Sequence, residues 1–156
     1  MDNEKFMKLA VKEARKNIRT MSGGPFGACI VKKGRVIALA RNTVLKNDAT
    51  CHAEINAIRA ASKKSGTYDL SGCVIYSTTE PCPMCFAAIH WARIKRIIYG
   101  TKISDAKKIG FNELSISNVR LASLGKSGIK LTSGVSLKEC RGLLREWSGL
   151  AHKVLY

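Results

Sequence analysis

His52-Ala53-Glu54 and Pro81-Cys82-Pro83-Met84-Cys85 are the two stretches that decide how this chain folds. Each stands where an apolar pattern with helical spacing begins, and the second stretch follows an apolar run typical of a buried strand. Proline at the first helical position favours a helix that starts there. The strand, helix and strand between residues 73 and 99 therefore predict a crossover unit with two parallel strands.

The same patterns extend the prediction to the rest of the chain. Helical spacing of apolar residues predicts helices over 3–20, 52–64, 83–92 and 136–154. Short apolar runs predict a hairpin over 28–32 and 36–40 and further strands over 73–77, 95–99 and 129–132. The Lys- and Gly-rich stretch before residue 129 is predicted to be a loop. We expect one domain over residues 1–156, an α/β fold of the three-layer α/β/α sandwich type with a central mixed five-stranded sheet.

The two opening stretches also predict a metal site. A catalytic zinc ion takes three protein ligands and keeps a fourth position open, and His52, Cys82 and Cys85 offer one imidazole and two thiolates. We therefore expect one zinc ion per chain, with iron as the alternative metal. The helix N-termini favour the thiolate forms. Glu54 is left as a carboxylate outside the ligand set, and it can transfer protons.

Other interpretations of the cysteine pair are weaker. A structural zinc site needs a fourth protein ligand, and the sequence offers no second pair near Cys82 and Cys85. A redox pair would leave Glu54 without a role. A non-catalytic nucleic-acid-binding protein that keeps zinc for folding is a third reading, and Glu54 argues against it as well.

The formal net charge of +16 is spread along the chain rather than concentrated in a tail. A solvated, lysine-rich surface is favoured over an RNA-binding face, because no aromatic residues interleave with Arg93, Lys95 and Arg96. No apolar run approaches the roughly 18–20 residues that span a bilayer, and the charged N-terminus has no signal-peptide pattern. We expect a cytoplasmic protein without a membrane partner, whose six cysteines are reduced.

Beyond the metal ligands, the chain resembles the cytidine deaminase-like superfamily of zinc-dependent deaminases, and within it the small bacterial-type guanine deaminases. The resemblance lies in Gly23-Gly-Pro-Phe-Gly27, in Asn42 ahead of Asn47-Asp48, in Glu80-Pro-Cys-Pro-Met-Cys85 leading to Ala88-Ile-His-Trp-Ala-Arg93, and in residues 105–111. The tRNA adenosine deaminases share the metal motif but usually carry Pro-Val-Gly-Ala where this chain has Pro25-Phe-Gly-Ala28. Residues 136–147 are similar to both groups.

This resemblance implies hydrolytic deamination of a nucleobase, with guanine converted to xanthine and ammonia as the favoured reaction. It implies that Phe26 stacks on the base, that Asn42 hydrogen-bonds the polar edge of the base, and that Trp91 walls the pocket. Ala53 and Glu113 are implied as further substrate contacts. Glu113 stands where the family tends to have an aspartate.

The resemblance also implies a homodimer that exchanges its C-terminal segments, residues 136–156, so that Tyr156 closes the pocket of the partner. Two other substrates stay open. A tRNA adenosine-to-inosine deaminase would suit the positive charge and residues 136–147, and a cytosine or related small-ring deaminase would use the same four groups.

Overall fold

The computed structural model describes residues 2–156. The helices and strands of the described residues are α1 (Asn3–Arg15), α2 (Asn17–Thr20), β1 (Gly27–Lys32), β2 (Arg35–Arg41), α3 (Ala53–Ser65), β3 (Cys73–Thr79), α4 (Pro83–Trp91), β4 (Arg96–Thr101), α5 (Ile103–Lys108), α6 (Asn118–Leu124), β5 (Lys130–Thr132) and α7 (Leu137–Ser148). All five predicted strands are present.

The strands form one sheet in the order β2-β1-β3-β4-β5. Strand β1 pairs antiparallel with β2 and with β3, as the predicted hairpin requires, whereas β3, β4 and β5 run parallel. The predictions of a mixed five-stranded sheet and of a parallel β3–β4 pair are confirmed. Helix α4 connects these two strands, and this connection leads the chain from the end of β3 directly into the cysteine stretch.

Helices cover both faces of the sheet, which confirms the predicted three-layer arrangement. Helices α1 and α7 pack on one face, and α3 and α4 pack on the other, where α4 also contacts α6. The strand side chains alternate between the two cores: Ile30 and Ile75 belong to the α3–α4 side, whereas Val74 and Tyr76 belong to the α1 side. By the same alternation, Ser77 faces α3 and α4.

Three boundaries differ from the predictions. The closing helix ends at Ser148 rather than at residue 154, because Gly149 follows it and the last residues form a turn and an extended tail. The predicted first helix is divided into α1 and α2 at Lys16. The predicted loop after β4 contains α5 and α6, which are too short for an apolar stripe and are recognisable only from their caps; the side chain of Ser117, for example, accepts a hydrogen bond from the Arg120 N–H.

None of the helices in residues 2–156 combines the length and the hydrophobicity that crossing a bilayer would require. The six cysteines all carry free thiols.

Candidate metal centre and cavity

Two helix N-termini bring the predicted metal ligands together. His52 is the N-cap of α3, Cys82 is the N-cap of α4, and Cys85 lies in the first turn of α4 behind Pro83 at the first helical position. The side of the sheet that carries α3 and α4 thus presents both helix starts to one point. The unpaired N–H groups and the dipole at such a helix start favour thiolate over thiol.

The three ligand atoms have the separation that one zinc ion needs. His52 Nδ1 lies 3.5 Å from Cys82 Sγ and 3.6 Å from Cys85 Sγ. Zinc–sulfur bonds of about 2.3 Å and zinc–nitrogen bonds of about 2.0 Å, at a tetrahedral angle, place N and S about 3.6 Å apart. The three residues are the one cluster of His, Cys, Asp or Glu in residues 2–156 with metal-binding geometry. They fit zinc, and the predicted zinc site is confirmed.

The thiol pair is already poised for metal binding. Hydrogen bonds from Cys85 and then from His52 lower the pKa of the Cys82 thiol to about 4, although burial opposes the shift. The hydrogen bond to Cys82 and burial raise the pKa of the Cys85 thiol. A dication between the two sulfurs favours thiolate at both positions, because metal binding displaces the remaining proton.

Glu54 lies beside the metal ligands but is not one of them. The side chain is only 6% exposed, and Oε2 lies 3.5 Å from Cys85 Sγ, while Oε1 accepts a 2.7 Å hydrogen bond from the Ser77 hydroxyl. Burial, and after it the charge of Cys82, raises the pKa of the Glu54 carboxyl. A buried carboxyl with a raised pKa next to a metal site is suited to take up and return protons.

Ser77 is a site residue that the sequence analysis missed. Its hydroxyl lies 2.7 Å from Glu54 Oε1 and 2.6 Å from the carbonyl oxygen of Thr79. The available signal was a polar side chain at the end of an apolar alternation on β3. Ser77 therefore fixes the position of the Glu54 carboxyl at the edge of the metal centre.

A cavity of about 270 Å³ opens in front of the metal ligands. This volume is near the lower limit of the range for small-molecule sites. Its wall contains four of the predicted substrate contacts together with His52, Glu54 and Cys82: these four are Phe26, Asn42, Glu113 and Tyr156. Six further wall residues were not predicted: Val44, Ala49, Thr79, Glu80, Phe111 and Asn112.

Two predicted contacts lie elsewhere. Ala53 is fully buried in the core beneath α3, so its side chain does not line the cavity. Trp91 is 78% exposed and lines a separate surface groove with Tyr68 and His90. The prediction that Trp91 walls the pocket is therefore wrong within one chain, because the last turn of α4 directs this side chain away from the helix start that carries the metal ligands.

The C-terminal tyrosine closes the cavity of its own chain. The Tyr156 hydroxyl accepts a 2.7 Å hydrogen bond from the Gly24 N–H and donates a 2.7 Å hydrogen bond to Asn42 Oδ1. The Tyr156 ring packs edge-on against Phe111 at 5.4 Å, and Phe111 packs against Phe26 at 4.9 Å. The exchange of tails between two copies stays a prediction.

The Asn42 amide has a defined orientation. Oδ1 accepts hydrogen bonds from the Val44 N–H at 3.0 Å and from the Tyr156 hydroxyl, so this atom must be the oxygen. The Nδ2 amino group is left to donate into the cavity, since no described residue accepts from it. Glu113 provides the opposite function on the wall, and burial followed by the charge of Cys82 raises the pKa of its carboxyl to about 7.

Glu80 fixes the backbone behind the cysteine stretch. Its two carboxylate oxygens accept hydrogen bonds from the Asn118 N–H at 2.8 Å and the Ile103 N–H at 3.2 Å. Asn118 Nδ2 in turn donates a 2.6 Å hydrogen bond to the Pro81 carbonyl. The unpredicted helices α5 and α6 therefore hold the end of β3 in place, immediately before Cys82.

Comparisons with known proteins agree with this geometry. Residues 1–101 match the family described as the cytidine and deoxycytidylate deaminase zinc-binding region. A guanine deaminase from Bacillus subtilis is 47% identical over 114 residues, which are 72% of this chain and 73% of that protein. A tRNA-specific adenosine deaminase from Agrobacterium fabrum is 47% identical over 98 residues, or 62% of this chain and 64% of that protein. The structure of a guanine deaminase from Nitrosomonas europaea superposes with a TM-score of 0.86 at 31% identity, over 94% of this chain and 85% of that chain.

Proposed function

This chain belongs to the cytidine and deoxycytidylate deaminase zinc-binding family and is a zinc-dependent deaminase, and on that premise we propose that its substrate is free guanine. The reaction would add water to guanine and release xanthine and ammonia.

The closed mouth of the cavity is the observation that carries this proposal. Tyr156 is held by hydrogen bonds to Gly24 and Asn42, and behind it remains a space of about 270 Å³. Such a space suits a single base rather than a nucleotide within a polymer. The wall also offers what a purine base requires, namely aromatic faces for stacking from Phe26 and Phe111 and a hydrogen-bond donor from Asn42.

Proton transfer by Glu54 is the central step of the proposed mechanism. Zinc held by His52, Cys82 and Cys85 supplies Lewis-acid activation of water when it is bound. Glu54 takes a proton from the attacking water, delivers it to the ring nitrogen beside C2, and later returns a proton to the leaving amine. A C–O bond forms at C2 and the C2–N bond to the amine breaks, so that guanine and water yield xanthine and ammonia.

The remaining wall residues orient the base. We assign the Nδ2 donor of Asn42 to an acceptor on the polar edge of guanine. Glu113 would accept a hydrogen bond from a ring N–H, since its carboxyl is half-buried in the wall and has a pKa of about 7. Both contacts select a planar base by its hydrogen-bond pattern.

A panel of substrates tests the proposal. Zinc-loaded protein is offered guanine, guanosine, adenine, cytosine, cytidine and tRNA, and ammonia release is measured for each. We expect guanine to give the highest kcat/KM. A higher value for tRNA, adenine or cytosine would reject the substrate assignment.

The variant Glu54→Gln tests the catalytic assignment separately. The amide keeps the size of the side chain but cannot take up a proton, so turnover should fall by about 10²–10⁴-fold while zinc content stays at one per chain. Wild-type turnover in this variant would show that Glu54 is not the proton-transferring group.

A tRNA adenosine deaminase is the second candidate. The net charge of +16 and the Agrobacterium relative support it. A polyanionic substrate binds less tightly as salt increases, whereas a neutral base is almost indifferent to salt. Steep loss of tRNA-dependent ammonia release between 50 and 200 mM salt would favour this candidate over guanine.

We further propose a cytoplasmic homodimer whose tails are exchanged. The exposed Trp91 and Tyr68 offer an aromatic surface for a second copy, and six free thiols suit a reducing compartment. Light scattering tests the mass. Mixed dimers of a Glu54→Gln chain and a Tyr156→Ala chain test the exchange, because only an exchanged tail places an intact tyrosine over an intact Glu54. Recovery of activity supports exchange, and its absence supports closure within one chain.

A further inference from the structure

We propose that Asn17, which does not line the cavity, is a positioning residue that sets the spacing between the two substrate-contacting segments around Phe26 and Asn42. The inference rests on the proposed function, since it concerns binding of the base in the same cavity. It assigns a role to α2, a four-residue helix that the mechanism otherwise leaves unused.

The amide of Asn17 joins the two segments directly. Its side chain is 0% exposed, and Nδ2 donates one hydrogen bond of 2.8 Å to the Gly24 carbonyl and another of 2.8 Å to the Asn42 carbonyl. Both amide hydrogens are therefore used. The two carbonyls belong to different parts of the chain, one before β1 and one after β2, and a single amino group holds them together.

The orientation of this amide is unambiguous. Oδ1 accepts a 3.1 Å hydrogen bond from Arg41 Nε and a 3.2 Å hydrogen bond from the Thr20 hydroxyl. A guanidinium can only donate, so the oxygen must face Arg41 and the amino group must face the carbonyls. Glu13, which is 8% exposed, accepts a 2.8 Å ion-paired hydrogen bond from Arg41 Nη1 and thereby holds the guanidinium in place.

Both carbonyls sit beside groups that would contact the base. The Gly24 N–H binds the Tyr156 hydroxyl, and a Cβ at Gly24 would lie 2.6 Å from the Phe26 ring and 2.9 Å from the Phe111 ring. On the other segment, Asn42 directs Nδ2 into the cavity. Movement of either backbone segment by a few tenths of an ångström would therefore change the stacking face, the amide donor and the closing tyrosine together.

This network is separate from the metal centre. The partners of Asn17 are Thr20, Gly24, Arg41 and Asn42, and none of them binds His52, Cys82, Cys85 or Glu54 in the described residues. Loss of the Asn17 amide should therefore weaken binding of the base and leave the metal and the proton-transferring carboxyl unaffected.

The variants Asn17→Ala and Asn17→Asp test this role. Asn17→Asp is nearly isosteric and keeps an oxygen toward Arg41 and Thr20, but it replaces the donor that faces the two carbonyls. The matched control is Val11→Ala, which shortens another buried side chain on the same face of the molecule without touching the network. For each protein, kcat and KM for guanine, zinc content and melting temperature are measured.

We expect KM for guanine to rise roughly tenfold in both Asn17 variants, because unsatisfied carbonyls and a displaced Asn42 reduce binding, while kcat changes less than about threefold. Zinc content should remain one per chain, and Val11→Ala should keep the wild-type KM even if its melting temperature falls as far. In a Glu54→Gln background, calorimetry should show the same loss of guanine affinity without turnover.

A wild-type KM in folded Asn17→Ala and Asn17→Asp would overturn the inference, as would an equal rise in KM in Val11→Ala. If the wild-type protein does not deaminate guanine at all, the proposed function fails instead, and the two failures are distinguished by that first measurement. If either Asn17 variant does not fold, the other is used, and Arg41→Leu provides a third test because it removes the donor that orients the amide; an unchanged KM in that folded variant also counts against the inference.

Discussion

Removal of one hydroxyl group at the last residue should open the cavity without disturbing its chemistry. In Tyr156→Phe, the ring remains and keeps its edge-on contact with Phe111 at 5.4 Å. Only the hydroxyl is lost, and with it the hydrogen bonds to the Gly24 N–H and to Asn42 Oδ1, each 2.7 Å long. The variant therefore isolates polar closure from aromatic packing.

The magnitude follows from what is left unpaired. The Gly24 N–H loses its partner in a part-buried position, and a buried group without a partner costs about 1–3 kcal/mol. Asn42 Oδ1 keeps the Val44 N–H, so its loss is smaller. If the closed cavity is required for tight binding of the base, about 1.4 kcal/mol corresponds to a tenfold rise in KM for guanine.

Steady-state kinetics with guanine measures this effect, and zinc content and melting temperature serve as controls. We expect KM to rise about tenfold with a smaller change in kcat, and deletion of Tyr156 to raise KM further because the contact with Phe111 is lost as well. The reasoning would be refuted by a Tyr156→Phe protein with the wild-type KM, since the hydroxyl would then not hold the cavity closed.

Cys82→Ala should lose zinc and activity together, as measured by metal analysis, because two ligands do not hold a catalytic ion; retained zinc would contradict the ligand assignment. Ser77→Ala removes the hydrogen bond that positions Glu54, so kcat should fall about tenfold with zinc and KM retained, and an unchanged kcat would argue against that role. The pKa of Glu113 is raised from 4.5 to about 7, so burial of its charge destabilises the metal-free fold above pH 7 and not below about pH 4.5. Glu113→Gln should therefore raise the melting temperature of metal-free protein at pH 8 and not at pH 4; equal effects at both pH values would contradict this.

Local patterns were sufficient for the regular elements that carry the metal ligands. Proline at the first turn of α4, Gly66 at the end of α3 and the period of the apolar residues are signals within a few positions of each element. The short helices α5 and α6 lack such a stripe, and their positions depend on hydrogen bonds to Glu80, a residue far from them in the chain. Only the folded chain brings these partners together.

The sequence by itself determined the metal chemistry of this protein, because the types and spacing of His52, Glu54, Cys82 and Cys85 permit few other uses, and helix starts after buried strands bring such residues to one end of a sheet. Tertiary structure alone decided which other side chains share the cavity. Trp91 turned out to lie on the surface, while Ser77 joined the metal centre. The reason is physical: a side chain contacts the cavity through its direction on an element and the packing of that element, and neither quantity is encoded in its immediate neighbours.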